Sequence, residues 1–288
     1  MPRMKVTMLG LGIMGGGAAM NLIKKGFATT VWNRTQAKAQ PMLDAGGRWA
    51  DTPAEAARGS DVVISFVADD DASREVWLGK QGALAALAPG AIAVECGTMS
   101  MAWMRELIVA MRLRDVAFID APVAGSKVAA ANGQLTLFVG AEADVLAKAR
   151  PALEAISATI WHFGPVGSGA TYKLINNMVA AAQLVSLAEG LALARKTGLN
   201  LDVLAQAATV GAIGSGIVKM KLPNALAQNH NDVHFELRWM LKDINYAMQL
   251  AQEVGVDMPA IAHTQTQFAK AAAQGLASLD ASAVMEVC

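Results

Sequence analysis

A chain of 288 residues has room for about two domains of ordinary size. With 54% hydrophobic and 17% charged residues it is too apolar to stay disordered, since the surface it can bury offsets the entropy of ordering. Its 24 Lys and Arg balance its 24 Asp and Glu, leaving no net field to attract nucleic acid, and two distant cysteines, Cys96 and Cys288, outside any CxxC or Cys/His cluster argue against a disulfide scaffold or a zinc centre. The expected setting is a reducing cytoplasm.

The opening Met1-Pro2-Arg3-Met4-Lys5 and the apolar residues up to Met14 have the outline of a short signal peptide. Gly10, Gly12, Gly15, Gly16 and Gly17 would weaken an apolar helix there, so the segment reads as a strand running into a glycine turn. Strands are expected over 5–9, 29–32, 61–67, 91–95, 117–120, 135–139 and 159–163, with helices over 14–25, 54–58, 101–113 and 143–156 between them. Such alternation predicts an α/β domain over residues 1–164, its sheet mostly parallel with helices on both faces. Thr52-Pro53-Ala54-Glu55 offers a capping hydroxyl, a proline at the first helical position and a glutamate to close the box.

After Gly164-Pro165 the β-rich pattern stops. Apolar residues at helical spacing over 171–197, 201–209, 235–254 and 258–274 predict an all-helical second domain over 165–288. The apolar run 178–194 is broken by Gln183, Ser186 and Glu189, which favours a buried helix over a membrane span. His162, His230, His234 and His263 show no ligand spacing, and the six tryptophans, Trp161 among them, read as packing residues.

The most specific motif is Gly10-Leu11-Gly12-Ile13-Met14-Gly15, placed between a strand and a helix. In that context glycines allow the tight turn and let backbone N–H groups at a helix start approach a pyrophosphate, so these six residues are the candidate dinucleotide cradle. At the end of the second strand, where an acidic residue would accept from the ribose of NAD, the chain has Asn33-Arg34-Thr35. Arg34 can pair with a 2′-phosphate, helped by Asn33 and Thr35, which points to NADP(H). If Arg34 is only a solvated turn residue, Asn33 admits NAD(H) as well.

Lys173 and Asn177 are four positions apart on a predicted helix, so they share a face and can share a ligand. In a cleft, desolvation and the positive helix start would bring the lysine toward the proton-transfer range. Spacing alone fits a surface lysine beside a solvated asparagine better. The loop Asp120-Ala121-Pro122-Val123-Ala124-Gly125-Ser126-Lys127 follows a strand end, and its backbone N–H groups can receive a carboxylate. On a C-terminal helix, Phe235 to Asp243 carries Lys242, which can reach a cofactor or simply face solvent beside Asp243.

Taken together, Gly10 to Asn21, Asp120 to Gly133, Gly167 to Asn177 and Phe235 to Asp243 resemble the β-hydroxyacid dehydrogenase family over nearly the whole chain. That group includes 3-hydroxyisobutyrate dehydrogenases and tartronate semialdehyde and glyoxylate/succinic semialdehyde reductases. The resemblance implies an N-terminal Rossmann domain, a long interdomain helix, and homodimers or homotetramers built through the helical domain. It makes Lys173 the acid/base and Asn177 its substrate-orienting partner. It places Thr98 near both nicotinamide and substrate, and Gly125 and Ser126 on the substrate. Val67, Ala68, Phe235 and Lys242 join the cofactor set. Two stretches depart from the family pattern: Ala124-Gly125-Ser126 stands for Ser-Gly-Gly, and Glu95-Cys96-Gly97-Thr98 for Asp-x-Ser-Thr, each removing a hydroxyl. Ser126-Lys127 leans toward the glyoxylate/succinic semialdehyde reductase branch.

The activity so implied is NAD(P)-dependent hydride transfer to or from a small β-hydroxyacid, semialdehyde or 2-oxoacid, with neither nucleic acid nor membrane as partner. An imine reductase of related fold would lack a lysine at position 173, a decarboxylating phosphogluconate-type enzyme would need a longer helical domain, and a non-catalytic NADP-binding module would have lost that lysine.

Overall fold

The computed structural model describes residues 4–288, so Met1-Pro2-Arg3, the start of the signal-like stretch, lies outside the described residues. Two compact units divide at Lys173/Leu174. The first contains β1 (Lys5–Leu9), α1 (Ile13–Lys24), β2 (Ala28–Trp32), α2 (Gln40–Asp44), β3 (Arg48–Trp49), α3 (Pro53–Ala57), β4 (Val62–Ser65) and α4 (Asp70–Leu78). It continues with β5 (Ile92–Glu95), α5 (Met101–Leu113), β6 (Ala117–Asp120), β7 (Val123–Ala124), α6 (Lys127–Ala131), β8 (Leu135–Gly140), α7 (Ala143–Ile156) and β9 (Ser157–Gly164). Helix α8 (Ser168–Lys196) begins in this unit and runs into the second, which adds α9 (Leu201–Val210), α10 (Gly216–Ala227), α11 (Leu237–Val254) and α12 (Pro259–Ala271).

Strands β3-β2-β1-β4-β5-β6 are parallel in that order, and β8 follows antiparallel to β6 and β7 and parallel to β9. The order is that of a Rossmann sheet, whose reversal between β1 and β4 opens a crevice at the carboxyl ends of the strands. Central strands β4 and β5 are buried along their whole length because helices cover both faces. Alternation sorts the side chains: Val6, Met8, Ile64 and Val94 point to the layer of α1 and α7, while Leu9, Val63, Ala93 and Phe118 point to α5.

The predicted strands all form, most of them shifted by a residue or more at one or both ends. The Thr52 cap also forms, its Oγ1 accepting from Glu55 N at 3.0 Å, but Glu55 accepts from Asp51 N at 3.0 Å, one residue before the cap. Helix α4 was not anticipated: its polar sequence hides the buried Val76 and Trp77, and Asp69 starts it by accepting from Ala72 N at 2.9 Å. Trp77 and Trp103 are core residues, as expected of tryptophans. Trp161, on the edge strand β9, is instead 58% exposed.

In the second unit Leu184, Leu191, Leu222, Ile244 and Phe268 build a core from α8, α10, α11 and α12. Helix α8 is long and apolar enough to cross a membrane, but Ala181, Leu184, Val185, Ala188 and Leu191 are buried inside the protein. Helix α10, absent from the sequence reading because Gly214, Gly216 and Pro223 mask it, contributes the buried Lys221, whose Nζ lies 2.7 Å from Asp280 Oδ2. Asp280 also accepts from Ser282 N and His234 N, both at 3.0 Å, and so ties the C-terminal turn to the lead-in of α11. Burial raises the pKa of its carboxyl, yet these donors outweigh burial and hold it below the ordinary value.

Candidate active site

The glycine turn joins β1 to α1 at the crevice. Gly10 has φ +96°, and a Cβ there would lie 2.2 Å from the Phe66 carbonyl oxygen beyond β4. At Gly15 a Cβ would lie 2.1 Å from the Gly10 carbonyl oxygen. Both glycines are demanded by the fold. Gly12 is not: a Cβ there would meet no atom within 4 Å, and its φ of −68° suits any residue. The first-turn amides of α1, those of Ile13, Met14 and Gly15, have no intrahelical acceptor, no side chain caps them and no acidic residue sits in that turn. Open space beside unspent donors at a helix start fits a dinucleotide pyrophosphate.

Asn33 braces the turn from β2, its Oδ1 accepting from Leu11 N at 2.9 Å and its Nδ2 donating to Thr35 O at 2.9 Å. Its amide is thus occupied inside the protein, while Arg34 and Thr35 are exposed at the rim. Val67 is half-buried and Ala68 exposed just after β4. Thr98 is half-buried after β5, where Glu95 holds the turn by accepting from Gly97 N at 2.8 Å. Burial raises the pKa of the Glu95 carboxyl against the pull of Ser73 Oγ, Gly97 N and Trp77 Nε1. Leu11, Asn33, Val67 and Thr98 therefore meet at the carboxyl end of one sheet.

Gly125 has φ +141°, in the region that favours glycine. Ser126 caps α6, its Oγ accepting from Ala129 N at 3.2 Å. This loop is tied to α1, since Asn21 Nδ2 donates to Ala130 O at 2.9 Å and a Cβ on Gly17 would lie 2.7 Å from the Ala130 backbone.

Lys173 is 9% exposed and Asn177 5% exposed, one turn apart on α8, so the reading of a solvated pair does not hold. In the second unit Asn177 Nδ2 donates to Asp243 Oδ2 at 2.6 Å, and its Oδ1 accepts from Asn176 Nδ2 at 2.9 Å. Lys242 Nζ lies 3.0 Å from Asp243 Oδ1 and 4.7 Å from the centre of the Tyr246 ring. Asn177 and Lys242 are thus joined by the buried Asp243. Phe235 is half-buried, and its carbonyl accepts from Ala281 N at 2.8 Å. The sequence reading gave no role to the carboxyls of Glu95, Asp120 and Asp243; the available signal was an acid in or just after an apolar run, where burial demands partners.

Residues 5–164 match the NAD binding domain of 6-phosphogluconate dehydrogenase, and 167–288 match the NAD-binding domain of NADP-dependent 3-hydroxyisobutyrate dehydrogenase. The chain is 33% identical to glyoxylate/succinic semialdehyde reductase 2, chloroplastic, of Arabidopsis thaliana, over 98% of this chain and 78% of that protein. It is also 33% identical to an NAD-dependent L-serine dehydrogenase of Pseudomonas aeruginosa, over 98% of this chain and 97% of that one. The Mycobacterium tuberculosis 3-hydroxyisobutyrate dehydrogenase, solved with L-serine, superposes with a TM-score of 0.89 at 29% identity, covering 99% of this chain and 98% of that one. With its Rossmann order, its glycine turn between β1 and α1 and these matches, the chain belongs to the β-hydroxyacid dehydrogenase family and is an NAD(P)(H)-binding oxidoreductase.

Proposed function

We propose that the protein transfers a hydride between NADP(H), its preferred cofactor, and a small β-hydroxyacid, semialdehyde or 2-oxoacid, with Lys173 exchanging the proton on the substrate oxygen. The observation that carries this reading is the burial of Lys173 and Asn177 one turn apart on one face of α8, which holds an ammonium and an amide where they can share one ligand away from bulk water. When bound, the nicotinamide supplies or accepts the hydride. Protonated Lys173 donates to the carbonyl oxygen in reduction, and neutral Lys173 accepts from the hydroxyl in oxidation. Asn177, braced by Asp243 and Asn176, orients that oxygen. The Gly125-Ser126 loop takes the substrate carboxylate through backbone N–H groups, and Thr98 borders both ligands.

For the cofactor, Gly10, Leu11, Gly12, Ile13, Met14 and Gly15 form the cradle, with Val67, Ala68, Phe235 and Lys242 as further contacts. The exposed Arg34 supports the NADP(H) preference, since a guanidinium fork fits a 2′-phosphate. The Arabidopsis relative's name supports an aldehyde-bearing acid as substrate, and the Pseudomonas relative's name a small hydroxyacid. A cytoplasmic setting is supported by two free thiols, Cys96 and Cys288, and assembly into dimers or tetramers by the exposed Leu193, Val203, Val210 and Ile213.

The test is NADPH oxidation followed against glyoxylate, succinic semialdehyde, tartronate semialdehyde and methylmalonate semialdehyde, repeated with NADH. Turnover of at least one aldehyde or oxo acid, faster with NADPH, is expected. Turnover confined to imines, or nucleotide binding without any turnover, would overturn the reading.

A further inference from the structure

Asp120 ends β6 and is 1% exposed. Its partners are backbone: Oδ1 accepts from Gly167 N at 2.6 Å and Oδ2 from Ala170 N at 2.6 Å. These donors belong to the lead-in and first turn of α8, one turn before Lys173. The surroundings are shaped to seat that turn on the sheet. A Cβ on Gly140, the register partner of Asp120 on β8, would lie 2.4 Å from Asp120 Oδ1, and a Cβ on Gly169 would lie 2.1 Å from the Phe138 carbonyl oxygen. Tyr172, immediately before Lys173, is stacked on Phe163 with ring centres 4.1 Å apart and meets Phe138 edge-on at 4.7 Å.

We propose that Asp120 is a positioning residue for Lys173: its ionised carboxylate, accepting two N–H groups at once, fixes the first turn of α8 and with it the lysine that follows. This inference rests on the proposed acid/base role of Lys173. Protonation would turn one oxygen into a donor facing an N–H, so the seat has two states. Burial pushes the Asp120 carboxyl up to about 6, which puts the change within reach of experiment. The titratable neighbours are Glu95, its register partner on β5, together with His162 on β9 and Tyr172 and Lys173 on α8. Charged residues of α5 and α7, the helices packed on β6, lie on exposed faces.

The test follows three signals in the full-length protein against pH: the Gly167 and Ala170 amides, and the Lys173 side-chain methylene next to the ammonium, assigned by its loss in Lys173→Ala. In the wild type all three should move together with a midpoint at about 6, and kcat should rise through the same midpoint. Asp120→Asn keeps the volume but offers a donor to one of the two N–H groups. It should abolish that titration, displace the Lys173 signal and lower kcat by about 10- to 100-fold with nucleotide KM little changed. Glu95→Gln should leave the Lys173 and Ala170 signals where they are. The proposal is overturned if the amides do not titrate in the wild type, a measurement needing no variant. It is also overturned if Asp120→Asn leaves the Lys173 signal in place or Glu95→Gln shifts it equally. Should Lys173→Ala turn over normally while Asp120→Asn still displaces the Lys173 signal, the acid/base reading fails and the positioning role stands.

Discussion

Gly10 and Gly12 sit in the same turn and are glycine for different reasons. Gly10 is required by its positive φ and by the Phe66 carbonyl, whereas Gly12 meets nothing in the protein. Gly10→Ala should therefore cost more than about 1 kcal/mol of stability, while Gly12→Ala should leave stability unchanged or raise it by about 0.4–1 kcal/mol. Urea unfolding beside a nucleotide titration checks the contrast, because Gly12→Ala is expected to fold normally and bind NADP(H) poorly. Arg34→Ala should raise the NADPH KM by about 10- to 100-fold, the range for a charge-assisted hydrogen bond, and leave that for NADH unchanged. At this scale the motif was legible because a glycine fingerprint reports backbone needs directly. The part played by Asn33 was not, since whether its amide meets a ligand or Leu11 N depends on how β2 lies against the turn.

Elements are held by buried acids whose responses to pH have opposite signs. Asp280 is held below its ordinary 3.8, so the stability it contributes is present above that value and is lost as pH falls through its lowered folded pKa. Asp120 is raised to about 6, so ionising it costs the folded state stability as pH rises from about 4 to above 6. Unfolding free energies of wild type and Asp120→Asn, compared at acid and neutral pH, should show the wild type losing ground to the variant as pH rises. Asp280→Ala leaves Lys221 buried without its carboxylate and should cost about 3–5 kcal/mol, read from the shift of the urea midpoint. Neither acid could be recognised from periodicity alone. Helices α4 and α10 escaped for a related reason: their boundaries and polarity are set by tertiary contacts, such as Ser73 reaching Glu95 at 2.7 Å and the buried Lys221, and a linear pattern does not contain these.

Across the whole chain, the division of labour between an α/β part and a helical part was readable from the point where alternation gives way to continuous helical spacing. The family resemblance implied a Rossmann domain, whereas the strand order, the antiparallel β6–β8 pairing and the edge position of β9 came only with the structure. The helical unit leaves Leu193, Val203, Val210 and Ile213 exposed, side chains that association would bury. Light scattering should give a dimer or tetramer, and Val210→Asp with Ile213→Asp should lower that number. The central claim is the proton carried by Lys173, and its most direct test is chemical rescue. Lys173→Ala should lower kcat by about two to four orders of magnitude with nucleotide binding intact, and added primary alkylamine should restore turnover in proportion to its concentration. Turnover near the wild-type rate in Lys173→Ala without any amine would contradict the account.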